Sequence, residues 1–376
     1  MQIGIPAEII AGETRVAATP ETVKKFIAAG HSVVIQTGAG IQASVPDADF
    51  SAAGATIVND AASAYASDVI LKVRAPETDE IALIKEGAAV VAMFDPFRNP
   101  NLAAFAARNL QCFALELLPR TLSRAQNMDV LSSQANLAGY KSVLLAANAY
   151  QRLFPMLMTA AGTVKPARIV VLGVGVAGLS AIATAKRLGA IVEASDMRPT
   201  AKEQVESLGG KWLDVPMSDE EKAKALGAGG YAWMPSAEYV RDQKVIVDKA
   251  VSAADIIITT ALIPGRAAPK LVYADTIAKM KAGSVILDMA VESGGNVEGS
   301  VCGETVTTSN GVKILGIPNI PGTVAAESSA LYARNLLNLM LTLFNKETGA
   351  LTVNMSDEVH KALLITQAGE VLFAKK

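Results

Sequence analysis

"VLGVGVAGLSAIATAKRLGAIVEASD", residues Val171–Asp196, opens on an apolar run, breaks at glycines and closes on an aspartate. The run belongs to "ARIVVLG" (Ala167–Gly173), which reads as a buried strand. Gly173, Gly175 and Gly178 follow in G-x-G-x-x-G spacing where a helical pattern begins. In that setting the first glycine permits a tight turn and the second lets a pyrophosphate approach the backbone. The third lets helix and sheet pack closely. The helix N-terminus at this glycine motif, which includes Val176 and Ala177, presents free N–H groups and a positive dipole end to phosphates. Asp196, 18 residues beyond Gly178, closes the next strand, "AIVEAS". A carboxylate there accepts hydrogen bonds from both adenosine ribose hydroxyls and repels a 2′-phosphate, which favours NAD over NADP. Arg198 has two readings. An arginine can receive a 2′-phosphate, or it can cover the adenine face or lie in solvent; the second is favoured.

Outward from this stretch the same alternation continues. "DIIITTA" (Asp255–Ala261), "GSVILDMA" (Gly283–Ala290) and "VKILGI" (Val312–Ile317) extend one set of strands. Upstream, "QIGIP" (Gln2–Pro6), "SVVIQ" (Ser32–Gln36), "DVILKV" (Asp68–Val73), "AAVVAMF" (Ala88–Phe94) and "CFALE" (Cys112–Glu116) form another. Helical segments such as "PETVKKFIAAG" lie between strands, with Val23, Phe26 and Ile27 on one side and Gly30 as a stop. This predicts an α/β protein of two Rossmann-like, doubly wound parallel-sheet domains with a cleft between them, the default place for a ligand. The boundaries expected are 1–127 plus 330–376 for one domain and 128–329 for the other. Linking helices are expected near 128–150 and 324–344. The later one has Leu331, Leu336, Leu339 and Leu343 along one side.

Composition sets limits. A chain of 376 residues exceeds what one core usually organises. Its 34 basic and 36 acidic residues leave a net charge of −2 without a long basic run, so the footprint of a nucleic-acid binder is missing. Two cysteines, Cys112 and Cys302, suit a reduced compartment and are too few for a structural zinc site; no metal is expected. The N-terminus shows no signal-peptide pattern. The stretch Ile169–Ala185 is apolar but is broken by the three glycines, so no membrane insertion is expected.

Other segments bear on the site. "TTALIPG" (Thr259–Gly265) and "DMAVESGGN" (Asp288–Asn296) follow strands and either line the site or simply turn the chain. "GAGGYAWMPSAEY" (Gly227–Tyr239) reads as a mobile flap or a plain surface loop. The two histidines, His31 and His360, are expected to be solvated and without a role. Oxidation of an alcohol or amine also moves a proton, usually through His or Lys. Passing a hydride from one nicotinamide to another needs no such group; the protein only orients two rings.

Several stretches together resemble one family. They are "RVAATPETVKKF", "LSRAQNMDVLSSQANLAGY", "TAAGTVKPARIVVLGVGVAGLSAIATAKRLGA", "KEQVESLGG", "ITTALIPGRAAPKL" and "MAVESGGN". The chain resembles the NAD(H)-binding component of proton-translocating (Re/Si-specific) NAD(P) transhydrogenase, in the superfamily that also holds alanine dehydrogenase. The resemblance implies NAD(H) as cofactor, with NADP(H) on a partner component. It implies membrane-spanning and NADP(H)-binding partner subunits, a homodimer, and a cytoplasmic place peripheral to the inner membrane. It places the nicotinamide end at the "RAQNMDVLSSQ" segment, with Gln126, Asp129 and Arg120 as the catalytic set. Arg124, Asn127, Met128 and Ser132 are cofactor-binding neighbours. "PRTLSRAQ" carries one more residue after Arg120 than the usual family pattern. Around the adenosine and pyrophosphate the resemblance places Val176, Asp196, Met197, Arg198, Gly230, Gln243 and Leu262, with Tyr231 on the loop that closes.

Alanine dehydrogenases are a second resemblance, through "RVA-TP" and "LKVR-P", where Arg15 and Lys72 or Arg74 would hold a carboxylate. Their catalytic histidine belongs after the fourth strand, where this chain has Asp95 in "MFDPFRN"; their late acidic residue corresponds to Glu292. A non-catalytic NAD-sensing module is the third alternative.

Overall fold

The computed structural model describes residues 1–227, 236–263 and 265–374. The chain divides into two compact units, Met1–Gln134 with Pro321–Lys376, and Ala135–Ile320. In chain order the strands are β1 (Gln2–Ile5), β2 (Ser32–Gln36), β3 (Thr56–Val58), β4 (Val69–Arg74), β5 (Ala89–Met93) and β6 (Gln111–Ala114). Then come the hairpin strands β7 (Leu157–Thr159) and β8 (Gly162–Val164), and β9 (Arg168–Leu172), β10 (Ile191–Ser195) and β11 (Lys211–Trp212). They are followed by β12 (Ile256–Thr259), β13 (Val285–Asp288), β14 (Thr305–Thr307), β15 (Lys313–Leu315), β16 (Leu364–Gln367) and β17 (Glu370–Val371).

Among the described residues, the first unit holds a sheet in the order β17-β16-β6-β5-β4-β1-β2-β3. Strands β1 to β6 pair in parallel, and β16 and β17 add antiparallel at one edge. Alternate residues serve two cores. Val69, Leu71, Val91 and Phe113 face one, while Ile70, Val90, Cys112 and Ala114 face the other. That is why these strands read as nearly unbroken apolar runs. The helix Ala325–Leu343 covers the first face with Tyr332, Leu336, Leu339, Met340 and Leu343. Leu331 is only half-buried. Tyr332 takes the fully buried position instead, because its phenol finds acceptors in the carbonyls of Lys72 at 2.8 Å and Val73 at 3.3 Å.

The second unit holds a sheet in the order β11-β10-β9-β12-β13-β15-β14, parallel except for β14. Ile169, Val171, Ile256, Ile258 and Leu287 face one core; Val170, Leu172, Ile257, Ile286 and Ile314 face the other. Each such buried side chain contributes roughly 1.5–3 kcal/mol. Strand order reverses between β9 and β12, which is where open α/β sheets leave a crevice at their carboxyl ends. In the first unit the corresponding reversal lies between β1 and β4.

The helix Val130–Ala149 starts two residues later than Met128, because Asp129 stands ahead of it as a cap. Its Gly139 lets it press onto the helix Val176–Arg187 in the second unit. A Cβ at Gly139 would lie 2.1 Å from the Ala177 carbonyl oxygen. Ser180 ties the two helices, donating to the Asn136 carbonyl at 2.7 Å. No helix of the described residues is long and apolar enough to cross a membrane.

Candidate functional site

In the second unit the loops after β9, β12 and β13 are tied into one surface. Gly173 follows β9 with φ +94°, a left-handed conformation that a side chain would strain, and a Cβ there would lie 2.6 Å from Thr260 Oγ1. Thr260 Oγ1 donates to the Gly173 carbonyl at 2.9 Å, joining the β12 loop to the glycine turn. A Cβ at Gly178 would meet the Gly173 oxygen at 2.0 Å, so this glycine seats the helix Val176–Arg187 against the turn. Gly175 differs: a Cβ there would meet nothing within 4 Å. It caps the helix without a side chain, next to the amides of Val176 and Ala177. The open cradle and the half-buried helix start fit a pyrophosphate.

Behind this surface lies buried Asp288. It accepts from Thr259 Oγ1 at 3.1 Å and from the amides of Ala290 at 3.0 Å, Asn296 at 3.1 Å and Val297 at 3.2 Å. Asn296 in turn bonds the Ala261 amide at 3.0 Å and the carbonyls of Ala261 and Pro269, each at 2.8 Å. The segments "TTALIPG" and "DMAVESGGN" are therefore stapled together through Asn296, a role that no local sequence signal marks. Leu262, on this loop, is 56 % exposed. Glu292 is exposed and accepts the Asn319 amide at 3.0 Å.

Asp196 closes β10 as expected and accepts the Val174 amide at 2.6 Å. Arg198 folds back on Asp196 through Nε at 2.9 Å and Nη2 at 3.0 Å. Its Nη2 also reaches the Val174 carbonyl at 3.0 Å. A carboxylate two residues away, already held by a backbone amide, captures the guanidinium, and this pairing raises the Arg198 pKa. Met197 packs with Tyr239, Val215 and Met217, and Gln243 is half-buried on the helix Ala237–Ala253. Gly230 and Tyr231 lie outside the described residues, as does most of the segment read as a flap.

In the first unit, the dense polar run ahead of the long helix forms a closed ring. Asp129 accepts the Ser132 amide at 2.9 Å, the Ser132 hydroxyl at 2.7 Å and Arg120 Nε at 2.8 Å. Arg120 Nη2 donates to Ser132 Oγ at 2.6 Å. Burial pushes the Asp129 carboxyl upward, yet the bonds from Ser132 and Arg120 win and hold it below its ordinary value. Arg120 thus reaches Asp129 despite the additional residue in "PRTLSRAQ". Arg124 does not join the ring; it pairs with Asp357 at 3.0 and 2.8 Å. Met128 is turned into the core, while Gln126 and Asn127 are exposed. The structure brings Arg120, Asp129 and Ser132 together within one unit, and Gly173, Gly175, Gly178, Asp196 and Arg198 within the other.

The cations expected to hold a substrate carboxylate are already paired. Arg15 grips Glu13 through Nε at 2.7 Å and Nη2 at 2.6 Å, and its Nη1 donates to Gln134 at 2.8 Å. Arg74 Nε donates to Glu13 at 2.9 Å. Lys72 is bonded to Glu80 at 2.7 Å and lies 3.4 Å from Glu8. Glu8 accepts the Val73 amide at 2.6 Å and bridges β1 to β4. Asp95, at φ +47°, pairs with Arg98 at 2.7 Å. Both histidines are buried rather than solvated, each 4 % exposed. His31 stacks on Phe344 at 3.9 Å, and His360 is bonded to Thr342 at 3.0 Å.

This arrangement is that of a two-unit dinucleotide-binding protein, and its relatives match it over their length. The family pattern "Alanine dehydrogenase/PNT, N-terminal domain" matches residues 4–138, and "Alanine dehydrogenase/PNT, C-terminal domain" matches residues 142–374. The chain belongs to this family. It is 49 % identical over 379 residues to the first part of NAD(P) transhydrogenase subunit alpha of Rhodospirillum rubrum, covering 99 % of this chain and 98 % of that one. The crystal structure of a transhydrogenase from Sinorhizobium meliloti superposes with a TM-score of 0.89 at 46 % identity, covering 99 % of this chain and 100 % of that one. The alanine dehydrogenase of Methanococcus maripaludis is more distant, 30 % identical over 359 residues, 92 % of this chain and 88 % of that one.

Proposed function

We propose that this chain is the NAD(H)-binding component of a Re/Si-specific, proton-translocating NAD(P) transhydrogenase. The observation that carries the proposal is its 49 % identity, across 99 % of its length, to a protein named as one portion of a transhydrogenase subunit. NADH held by this chain would supply a hydride to NADP⁺ on a partner component, with no proton released. In this reading the Gly175 cradle and the amides of Val176 and Ala177 hold the pyrophosphate, and Asp196 accepts the adenosine ribose hydroxyls, sharing its oxygens with Arg198. Met197, Gln243 and Leu262 line the adenosine end, and Gly230 and Tyr231 belong to the loop that closes on it. The ring of Arg120, Asp129 and Ser132 would orient the nicotinamide end, and Gln126 would lie near the partner's nicotinamide. Membrane-spanning and NADP(H)-binding subunits complete the enzyme, which keeps this chain on the cytoplasmic face, peripheral to the inner membrane.

The chain would act as a homodimer. The hairpin β7–β8 supports this. Its strand residues are all exposed, and they include Leu157, Met158 (73 % exposed) and Val164. A two-stranded hairpin is marginal alone, and an apolar one needs a surface to cover it.

The paired cations speak against amino-acid oxidation. Arg15, Lys72 and Arg74 each have a carboxylate of their own unit, and the residue after β5 is an aspartate bound to Arg98. The test uses the full chain. NADH binding is followed by fluorescence, and the chain is then mixed with the membrane-spanning and NADP(H)-binding subunits of a working transhydrogenase. Hydride exchange between NADPH and an NAD analogue is expected only on mixing, with a dimer in sedimentation. Reduction of pyruvate with NADH and ammonia by the chain alone would contradict the proposal. Binding without exchange would favour the sensing module.

A further inference from the structure

The turn Ser123–Met128 is a 3-10 helix, a geometry with strained hydrogen bonds that rarely holds its shape alone. It is gripped from outside at three points. At its end is the ring of Arg120, Asp129 and Ser132. At Asn127 the backbone carbonyl accepts the side-chain amides of Asn335 at 2.8 Å and Asn338 at 2.9 Å, both on the helix Ala325–Leu343. Asn335 is itself fixed by Ser133 Oγ, which donates to its Oδ1 at 2.8 Å. At the start is the two-pronged bond of Arg124 to Asp357.

Asp357 is well founded. It caps the helix Glu358–Leu363 by accepting the amides of Val359 at 2.8 Å and His360 at 3.3 Å. Its own amide bonds the Asn354 carbonyl at 3.0 Å. The buried His360 ring completes the base. Its Nδ1 accepts the Asn354 amide at 3.2 Å. That leaves Nε2–H to donate to Thr342, whose hydroxyl donates onward to the Leu339 carbonyl at 2.7 Å. Arg124 pulls the Asp357 carboxyl down to about 2, so the pair is fully charged at neutral pH. Among the described residues, the side chains of Gln126 and Asn127 have no hydrogen-bond partner, so the turn is immobilised while its outward face stays free.

We infer that Arg124 and Asp357 are positioning residues: by clamping the turn to the C-terminal helix they fix where Gln126 points, and Arg124 is not itself a ligand of the dinucleotide. This deepens the transhydrogenase reading and rests on it. The two arginines of "PRTLSRAQ" then divide the work. Arg120 serves the Asp129 ring and Arg124 serves the clamp. Reacting groups must be held within about 0.5 Å, and a displacement of about 1 Å can cost on the order of 100-fold in rate.

The test compares Arg124→Ala, Arg124→Lys, Asp357→Asn and the double variant Arg124→Ala/Asp357→Asn in the full chain reconstituted with its partner subunits. Asp357→Asn keeps a capping oxygen while it removes the charge and turns the second acceptor of Arg124 into an amide donor. Each of Arg124→Ala and Asp357→Asn should slow hydride transfer roughly 10- to 100-fold, with NADH affinity within about twofold of wild type. Arg124→Lys should recover some of the rate, and the double variant should be no worse than either single change. Amide exchange of the free chain gives a second readout. It should rise over residues 125–129 in both single variants and stay unchanged in the cores. An NADH affinity weakened about tenfold by Arg124→Ala, with Asp357→Asn near wild type, would make Arg124 a direct ligand and overturn the inference. Wild-type rates in both, additive losses, or unchanged exchange over 125–129 would also overturn it. If the wild-type chain showed no hydride exchange with its partners, the transhydrogenase reading would fail, while the amide-exchange result would still report on the clamp.

Discussion

The two strand-order reversals of this protein, one in each unit, have the same topology and opposite chemistry. Between β9 and β12 the chain places Gly173, Thr260 and the unobstructed Gly175, so backbone amides stay available. Between β1 and β4 it places the Glu8 carboxylate on the Val73 amide, with Lys72 beside it and Glu13, Arg15 and Arg74 close by in the chain. A parallel sheet supplies a crevice at such a point, but topology does not decide whether a ligand enters. At one reversal the turn is built of glycines, and a Cβ at Gly175 would meet nothing within 4 Å. The other is closed by carboxylates that satisfy the unit's own cations. The same feature bears on the two resemblances seen in the sequence, because the alanine dehydrogenase resemblance would have Arg15 and Lys72 or Arg74 hold a substrate carboxylate, and here each is paired within its own unit.

The comparison can be broken most forcefully in the first unit. Arg15→Ala leaves Glu13 buried and short of its main partner, which should cost about 3–5 kcal/mol in urea unfolding. A loss under about 1 kcal/mol would mean the network is not a closed, self-satisfied plug. The same network should show in acid. Burial pushes Glu13 upward, but Arg15 and Arg74 hold it at about 2, against 4.5 when unfolded. Its contribution is therefore complete above pH 4.5 and is lost as pH falls toward 2, where the unfolded chain binds the extra proton. Glu8, raised by burial, works in the opposite sense. Glu13→Gln should flatten the acid limb, and an unchanged limb would count against the assignment.

The second unit is probed by its glycines. Gly178→Ala sets a methyl 2.0 Å from a backbone oxygen and should cost about 1–3 kcal/mol of stability. Gly175→Ala meets open space and should leave the melting temperature near wild type, yet weaken NADH binding about tenfold or more. If Gly175→Ala bound NADH as well as wild type, the cradle would not be the pyrophosphate site.

Much of this was legible in the sequence because it is local or periodic. The apolar runs became the central strands, and the G-x-G-x-x-G turn sits where strand, turn and helix grammar put it. Asp196 closes its strand as read. What escaped were short edge strands such as β3, β14 and β17, whose two or three residues carry no period, and the hairpin β7–β8. Long-range polar pairs escaped too. Arg124 meets Asp357 across 233 positions and Arg15 meets Gln134 across 119, and no spacing rule links such partners. The burial of His31 and His360 was missed as well: Phe344, which covers His31, lies far along the chain just past the helix Ala325–Leu343, and Thr342, bonded to His360, stands on that helix 18 positions earlier.

The most direct test of the central claim is a crystal structure of the full chain grown with NADH. The account predicts the pyrophosphate against Gly175 and the amides of Val176 and Ala177, and the nicotinamide against residues 126–132. A dinucleotide seated instead at the ends of β1 and β4, displacing Glu8 from the Val73 amide, would contradict it.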